Sequence, residues 1–210
     1  MTRLRTSPAG WMLLGAGGVL LSGAAAAVRA CVRGRVTLDL GLGRSVRPLR
    51  PMTIMIAAPR NVVFDAAAAP YGPRPPREVR DHVEILERAP GMVLASHRTP
   101  VGRDVAVTLE CVVLERPERI GFRLVRGPVP HAKEEYVFEE TSTGTRLTYR
   151  GEIGTDLWAL GRAWADRVAP VWEEAVRRSL ERIREAAERR AVSRSSRDPS
   201  GNPTRDAGPA

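Results

Sequence analysis

The chain has 210 residues, of which 43% are hydrophobic and 27% charged, a balance that excludes an intrinsically disordered protein and suits one domain of ordinary size. The formal charge of +9 is carried by the flanks: residues 1–50 hold 8 arginines and 1 acid, residues 189–210 hold 5 arginines and 2 acids, and residues 51–188 hold 20 basic and 21 acidic groups. A nucleic-acid-binding domain needs its basic excess on the folded surface, so the near-neutral middle argues against nucleic acid and the basic flanks argue for anionic lipid headgroups.

Residues 1–8 form a short basic segment. From Thr6 to Val28 no residue is charged, enough length to cross a hydrocarbon core of ~30 Å as a helix. Residues 9–29 are therefore expected to be a transmembrane anchor. Ala25-Ala26-Ala27 also offers a signal-cleavage match, and Val28–Cys31 loosely resembles a lipoprotein box in which Arg29 fits poorly. More arginines follow the stretch (Arg29, Arg33, Arg35, Arg44, Arg47) than precede it (Arg3, Arg5), so the positive-inside tendency predicts a single-pass cell-membrane protein with a cytoplasmic domain. Residues 30–50 are Arg- and Gly-rich, a linker with a short strand expected at Val36–Leu40.

Regular patterning begins at Pro51. "MTIMIAAP" reads as a strand, and "RNVVFDAAAAP" as a short helix with Asn61 as its N-cap. "YGPRPPREVR" reads as a loop or a broken turn of helix. Six strand-like segments follow, at 81–88, 92–98, 104–115, 119–125, 132–139 and 145–153, separated by Gly-, Pro- or Ser/Thr-bearing turns. Such short connections imply an antiparallel meander. Alternation assigns Val105, Val107, Leu109, Cys111 and Val113 to one face of their strand, with Glu110 on the opposite, solvated face. It likewise groups Ile120, Phe122 and Leu124; Tyr136 and Phe138; and Leu147, Tyr149 and Ile153. The last periodic segment starts at Asp156, a candidate cap, and repeats apolar residues from Leu157 and Leu160 through Trp164, Val168, Val171 and Trp172 to Ile183. Pro170 should kink this helix. Residues 191–210 read as a disordered tail.

The phrases "IAAPRNVVFD", "PERIGFRLVRGPVPHAKEEYVFEE" and "GTRLTYRGEIGTDLW", in this order of elements, resemble the START-like or polyketide cyclase/dehydrase superfamily over about residues 50–190. The resemblance implies an α+β helix-grip fold at residues 51–190: a curved, antiparallel, seven-stranded sheet around a long C-terminal helix, with an apolar cavity between them. Members bind lipids, sterols or polyketides, and some cyclise or dehydrate their substrates. On this reading the cavity is lined by Phe64; by Val107, Leu109 and Cys111; by Phe122 and Leu124; by Tyr136 and Phe138; by Leu147 and Tyr149; and by Trp164, Val168 and Trp172.

Phosphate-loop, zinc-protease, paired-cysteine and nucleophile-elbow signatures are absent from the sequence, so no cofactor and no metal are expected. The acid–base candidates are His97, which shares a face with Val93 and Ala95, and Tyr136 and Tyr149. His82 is expected to face solvent and His131 to lie in a hairpin loop. The leading expectation is a membrane-anchored, non-catalytic domain that binds a hydrophobic small molecule or lipid. A cyclase/dehydratase-like enzyme is the alternative and requires His97, Tyr136 or Tyr149 to face inward. A ligand-free scaffold with a filled core and an exposed apolar patch is the third.

Overall fold

The computed structural model describes residues 26–195. The expected anchor at 9–29 lies, except for its last residues, outside them. Among the described residues no helix is long and apolar enough to cross a membrane. Residues 26–32 are helical (α1). The domain then runs β1 (Ser45–Pro48), β2 (Met52–Ile56), α2 (Arg60–Ala68), a 3₁₀ turn (Ala69–Tyr71), α3 (Arg77–Arg80), β3 (Val83–Ala89), β4 (Met92–Val101), β5 (Asp104–Glu115), β6 (Arg119–Arg126), β7 (His131–Thr141), β8 (Gly144–Thr155) and α4 (Trp158–Ser195).

All pairings are antiparallel. The sheet runs β1-β8-β7-β6-β5-β4-β3, and β2 also pairs with β8. β1 faces residues 152–155 of β8 and β2 faces residues 145–149, so the two lie end to end along one edge. The expected seven strands are therefore eight, arranged in seven lanes. The extra strand is β1 rather than Val36–Leu40, because Ser45–Pro48 finds an open partner in β8 while residues 36–40 take no regular structure.

Helix α4 continues through Pro170 as one element and packs chiefly on α2, β8, β2 and β1. Its buried residues are small near the start (Ala165, Ala169) and larger beyond (Val176, Leu180, Ile183), closing with Ala187. The alanines admit close approach to β8 and β1, which shifts the buried stripe away from Leu160 and Val171; those two are exposed. Phe64 of α2 and Phe138 of β7 meet edge-to-face with centroids 5.4 Å apart, and with Leu147 they seal one end of the core.

Two capping expectations fail for identifiable reasons. Pro59, not Asn61, precedes α2, because helical geometry already begins at Arg60. Asp156 does not serve as the expected cap of α4. Its carboxylate accepts hydrogen bonds from the backbone N–H groups of Leu40 and Gly41 (2.6 and 2.8 Å) and from Arg44 (2.7 Å). These bonds hold its pKa down to about 2. The segment from α1 to Arg44 thereby becomes a strap. Arg29 and Arg33 pair with Asp104 at the β4–β5 hairpin, Thr37 exchanges hydrogen bonds with Gly127 in the β6–β7 turn, and residues 40–44 close on Asp156.

Replacing Asp156 with Ala should free this strap. Amide hydrogen exchange at Leu40 and Gly41 should quicken sharply while exchange in β7 stays unchanged. Unchanged protection at both amides would show that the carboxylate does not hold them.

Candidate active site and ligand cleft

Helix α4 makes its main contacts with α2, β8, β2 and β1, and on the inward faces of β4, β5 and β6 Val93, Ala95, Val112 and Ile120 are buried. Phe122, Leu124, Trp164, Val168 and Trp172 face this interior and remain half-buried. The apolar wall is interrupted by two buried polar clusters.

The first cluster is set by the β4–β5 hairpin. Val101 pairs with Asp104, and this register places His97 opposite Thr108 and Ala95 opposite Glu110. Ala95 is fully buried, so Glu110 shares its inward face and is only 7% exposed. The register between β5 and β6 steps by one residue at Leu109/Glu110, a bulge beside the site. Thr108 donates a 2.6 Å hydrogen bond to Glu110 Oε1. His97 Nδ1 stands 3.1 Å from Glu110 Oε2, an ion-pair contact whose angle is too poor for a hydrogen bond. The other ring nitrogen, Nε2, lies 3.2 Å from the hydroxyl of Tyr71. Tyr71 is held from behind by Arg88, which donates to the carbonyls of Tyr71 and Gly72.

Burial opposes a charge on His97, yet the negative charge of Glu110, helped by Glu134, carries its pKa above the ordinary value. Burial likewise opposes ionisation of Glu110, and the positive His97 and the Thr108 hydroxyl overcome it, so its pKa falls. Both shifts favour an imidazolium–carboxylate pair, in which Nε2–H would donate to Tyr71. Burial first, and then the charge of Glu110, keep the Tyr71 hydroxyl protonated.

The second cluster centres on Glu134 of β7. Tyr149 donates to its Oε1 at 2.6 Å, and Trp172 of α4 donates to the same oxygen at 2.8 Å. Gly151, opposite Glu134, makes room: a Cβ there would stand 2.6 Å from the Tyr149 hydroxyl. Burial, then the charge of Glu110, push the Glu134 carboxyl up to about 7, against the two donors, which lower it. A ladder of edge-to-face rings joins the clusters, from Tyr71 to Phe122 to Tyr136 to Tyr149, with centroids 6.3, 5.2 and 5.9 Å apart. Burial raises the Tyr136 pKa as well, against the Ser179 hydroxyl of α4, which lowers it.

The expected site residues divide accordingly. His97, Tyr136 and Tyr149 all face inward, as do Phe122, Leu124, Trp164, Val168 and Trp172. Phe64, Phe138 and Leu147 are inward but locked into the closed core. Val107, Leu109 and Cys111 are misassigned: the hairpin register turns them to the outer face, where Cys111 borders a groove of about 640 Å³ with Arg123, Lys133, Arg150 and Glu152. Glu110, assigned to solvent on the same reasoning, is buried. His82 is exposed as expected. His131 begins β7 instead of sitting in a loop, its Nε2 3.0 Å from Glu152. Sequence reasoning missed Tyr71, Thr108, Glu110 and Glu134. Glu134 was accessible, since it lies two residues before Tyr136 on the same strand face. Among the described residues no cluster of three or more His, Cys, Asp or Glu side chains could hold a metal ion.

Tyr149→Phe and Trp172→Phe each remove a donor to a buried carboxylate. Each should cost about 1–3 kcal/mol in denaturant unfolding and raise the Glu134 pKa further, read by side-chain carboxyl NMR. Because the native carboxyl holds its proton more tightly than an unfolded one, its stabilising contribution declines as pH rises from about 4.5 through about 7. Glu134→Gln should remove that part of the slope; identical pH profiles for the two proteins would contradict the assignment.

Residues 51–188 match the family model for polyketide cyclase/dehydrase and lipid transport. No curated protein matches the chain. Among solved structures, the di-domain aromatase/cyclase BexL from the BE-7585A biosynthetic pathway aligns at TM-score 0.57 and 20% identity, over 68% of this chain and 50% of that one, so this chain spans half of the di-domain protein. The ZhuI aromatase/cyclase from Streptomyces sp. R1128 aligns at 0.53 and 19%, over 72% of this chain and 96% of that one. Norcoclaurine synthase from Thalictrum flavum, solved with dopamine and hydroxybenzaldehyde, aligns at 0.54 and 10%, over 72% and 89%. These likenesses establish a shared helix-grip fold, and with the match over residues 51–188 they make the chain a member of the polyketide cyclase/dehydrase and lipid transport family.

Proposed function

We propose that this domain, tethered to the membrane by residues 9–29, binds a hydrophobic small molecule in the cleft between α4 and the inward faces of β4, β5 and β6. The observation that carries this reading is the half-buried apolar wall of Phe122, Leu124, Val168 and Trp172 set beside the His97–Glu110–Tyr71 cluster. An apolar wall with a few convergent polar groups suits a ligand that has a greasy body and one hydrogen-bonding oxygen. A scaffold without a ligand has no use for buried ionic groups, whose desolvation is costly and which well-packed apolar residues replace without loss. The polar end of the ligand would accept from the Tyr71 hydroxyl, and its rings would stack along the Phe122–Tyr136 ladder.

A second reading, a cyclase- or dehydratase-like enzyme, is favoured by the inward placement of His97, Tyr136 and Tyr149. Loss of water across a carbon–carbon bond needs a base to take a proton and an acid to protonate the departing hydroxyl. Glu134, with a pKa near neutrality, suits the first task, and the His97 imidazolium suits the second.

The test is native mass spectrometry of the full chain in detergent, with 1-anilinonaphthalene-8-sulfonate as the apolar probe. One probe per chain is expected, and Leu124→Arg, which plugs a half-exposed wall position, should abolish binding while leaving the circular dichroism spectrum intact. A folded parent that takes up no probe contradicts the binding reading. For the enzymatic reading, His97→Gln and Glu134→Gln should keep probe affinity and lose turnover of a poly-β-ketone substrate; a parent without turnover removes that reading alone.

A further inference from the structure

We propose that the strap residues 38–42 and the first turn of α4 form a docking face that seats the domain on an anionic bilayer. Leu38, Leu40, Leu42, Trp158 and Leu160 are 49%, 48%, 56%, 61% and 69% exposed. Scattered exposed apolar residues are ordinary, but these are gathered and fixed in place. Leu157 and Trp158 donate their backbone N–H groups to the carbonyls of Leu42 and Gly43 (2.7 and 3.1 Å), and Asp156 takes the N–H groups of Leu40 and Gly41. The indole of Trp158 lies flat on Gly43: a Cβ on that glycine would stand 2.3 Å from the ring. Leu157 and Trp158 hold φ of 69° and 46°, a left-handed conformation that strains non-glycine residues. Strain is thus spent to present an indole and four leucines to the outside.

A lipid surface fits this face better than a protein. An indole flanked by aliphatic side chains is favoured at the headgroup level. Arg35 precedes the strap in sequence and Arg162 follows Trp158 by about one helical turn; neither forms an ion pair with an acid among the described residues, leaving their charges for anionic headgroups. The uncharged stretch of chain ends at Val28, only 10 residues before Leu38, so a membrane held by that stretch lies within reach. In this last respect the inference rests on reading residues 9–29 as an anchor. Docking would also bring the cleft to the lipid. Thr37 of the strap bonds to Gly127 in the β6–β7 turn, against which Thr108 and Leu124 pack, and the adjoining Pro128 carbonyl accepts from the Trp164 indole. A water-insoluble guest would pass from bilayer to cleft with little exposure to water.

The experiment uses the full chain with Cys31→Ser and Cys111→Ser, reconstituted into vesicles of phosphatidylcholine and phosphatidylglycerol. An environment-sensitive fluorophore is placed at Leu160→Cys, or, as a control, at Leu86→Cys, an exposed position on β3 at the opposite edge of the sheet. The label at 160 should shift to the blue, be quenched by nitroxide-bearing lipids and resist iodide, while the label at 86 does the reverse. A label at 160 that iodide reaches, or that is shielded from iodide and lipid alike because protein covers it, overturns the proposal. Flotation in high salt reports the anchor separately. A chain that floats with an iodide-accessible 160 loses the docking face alone. One quenched at low salt but stripped at high salt keeps the face and loses the anchor.

Discussion

Everything in the interior follows from how two carboxylates are kept away from water. Glu110 and Glu134 come from different strands, and neither has a basic residue of permanent charge beside it. Glu110 is balanced by a histidine one lane from the sheet's edge, and Glu134 by two neutral donors, one on β8 and one on α4. Burying a charge is expensive unless it is paired and hydrogen-bonded. A sheet that positions these partners therefore has to hold its register closely, and the helix has to sit where Trp172 reaches Glu134. The polar clusters and the grip of the helix are one arrangement.

Burial raises the pKa of both carboxyls, and the net shifts are opposite because their partners differ in kind. A partner that can itself carry positive charge, His97, keeps Glu110 ionised. Partners that only donate hydrogen bonds leave Glu134 close to neutrality, where it can gain or lose a proton at little cost. Environments that push titratable groups apart in this way are the usual means by which one cavity offers both an acid and a base. They serve equally well to orient a ligand that carries a carbonyl or a phenol. Which use prevails depends on what enters the cleft.

The order of elements was readable from the sequence because each strand is bounded by turn residues and the last helix carries a long apolar stripe. The inward faces of β6, β7 and β8 were readable for a related reason: Phe122, Tyr136 and Tyr149 each adjoin a charged residue, Arg123, Glu135 and Arg150, that marks the opposite face. β5 misled because both of its faces are partly apolar. Val105, Val107, Leu109, Cys111 and Val113 make the greasier face, yet the interior side carries Thr108 and Glu110 because that is where the polar cluster sits. The two-residue turn at Gly102-Arg103 held the correction, since it fixes β5 against β4 and places Glu110 beside Ala95. Tyr71 was beyond local patterning: it reaches the site from a 3₁₀ turn after a proline, positioned by Arg88 from another strand. Asp156 shows the same limit, because its partners lie more than a hundred residues away in the strap.

The central claim is that the cleft holds a charged His97 against Glu110, ready to meet a ligand. Nitrogen NMR of the imidazole side chains tests it most directly, with exposed His82 as an internal reference. The account predicts that at pH 7 both ring nitrogens of His97 are protonated, and that adding an apolar probe shifts the His97 resonances and leaves those of His82 in place. A neutral His97 at pH 7, unmoved by the probe, would contradict it.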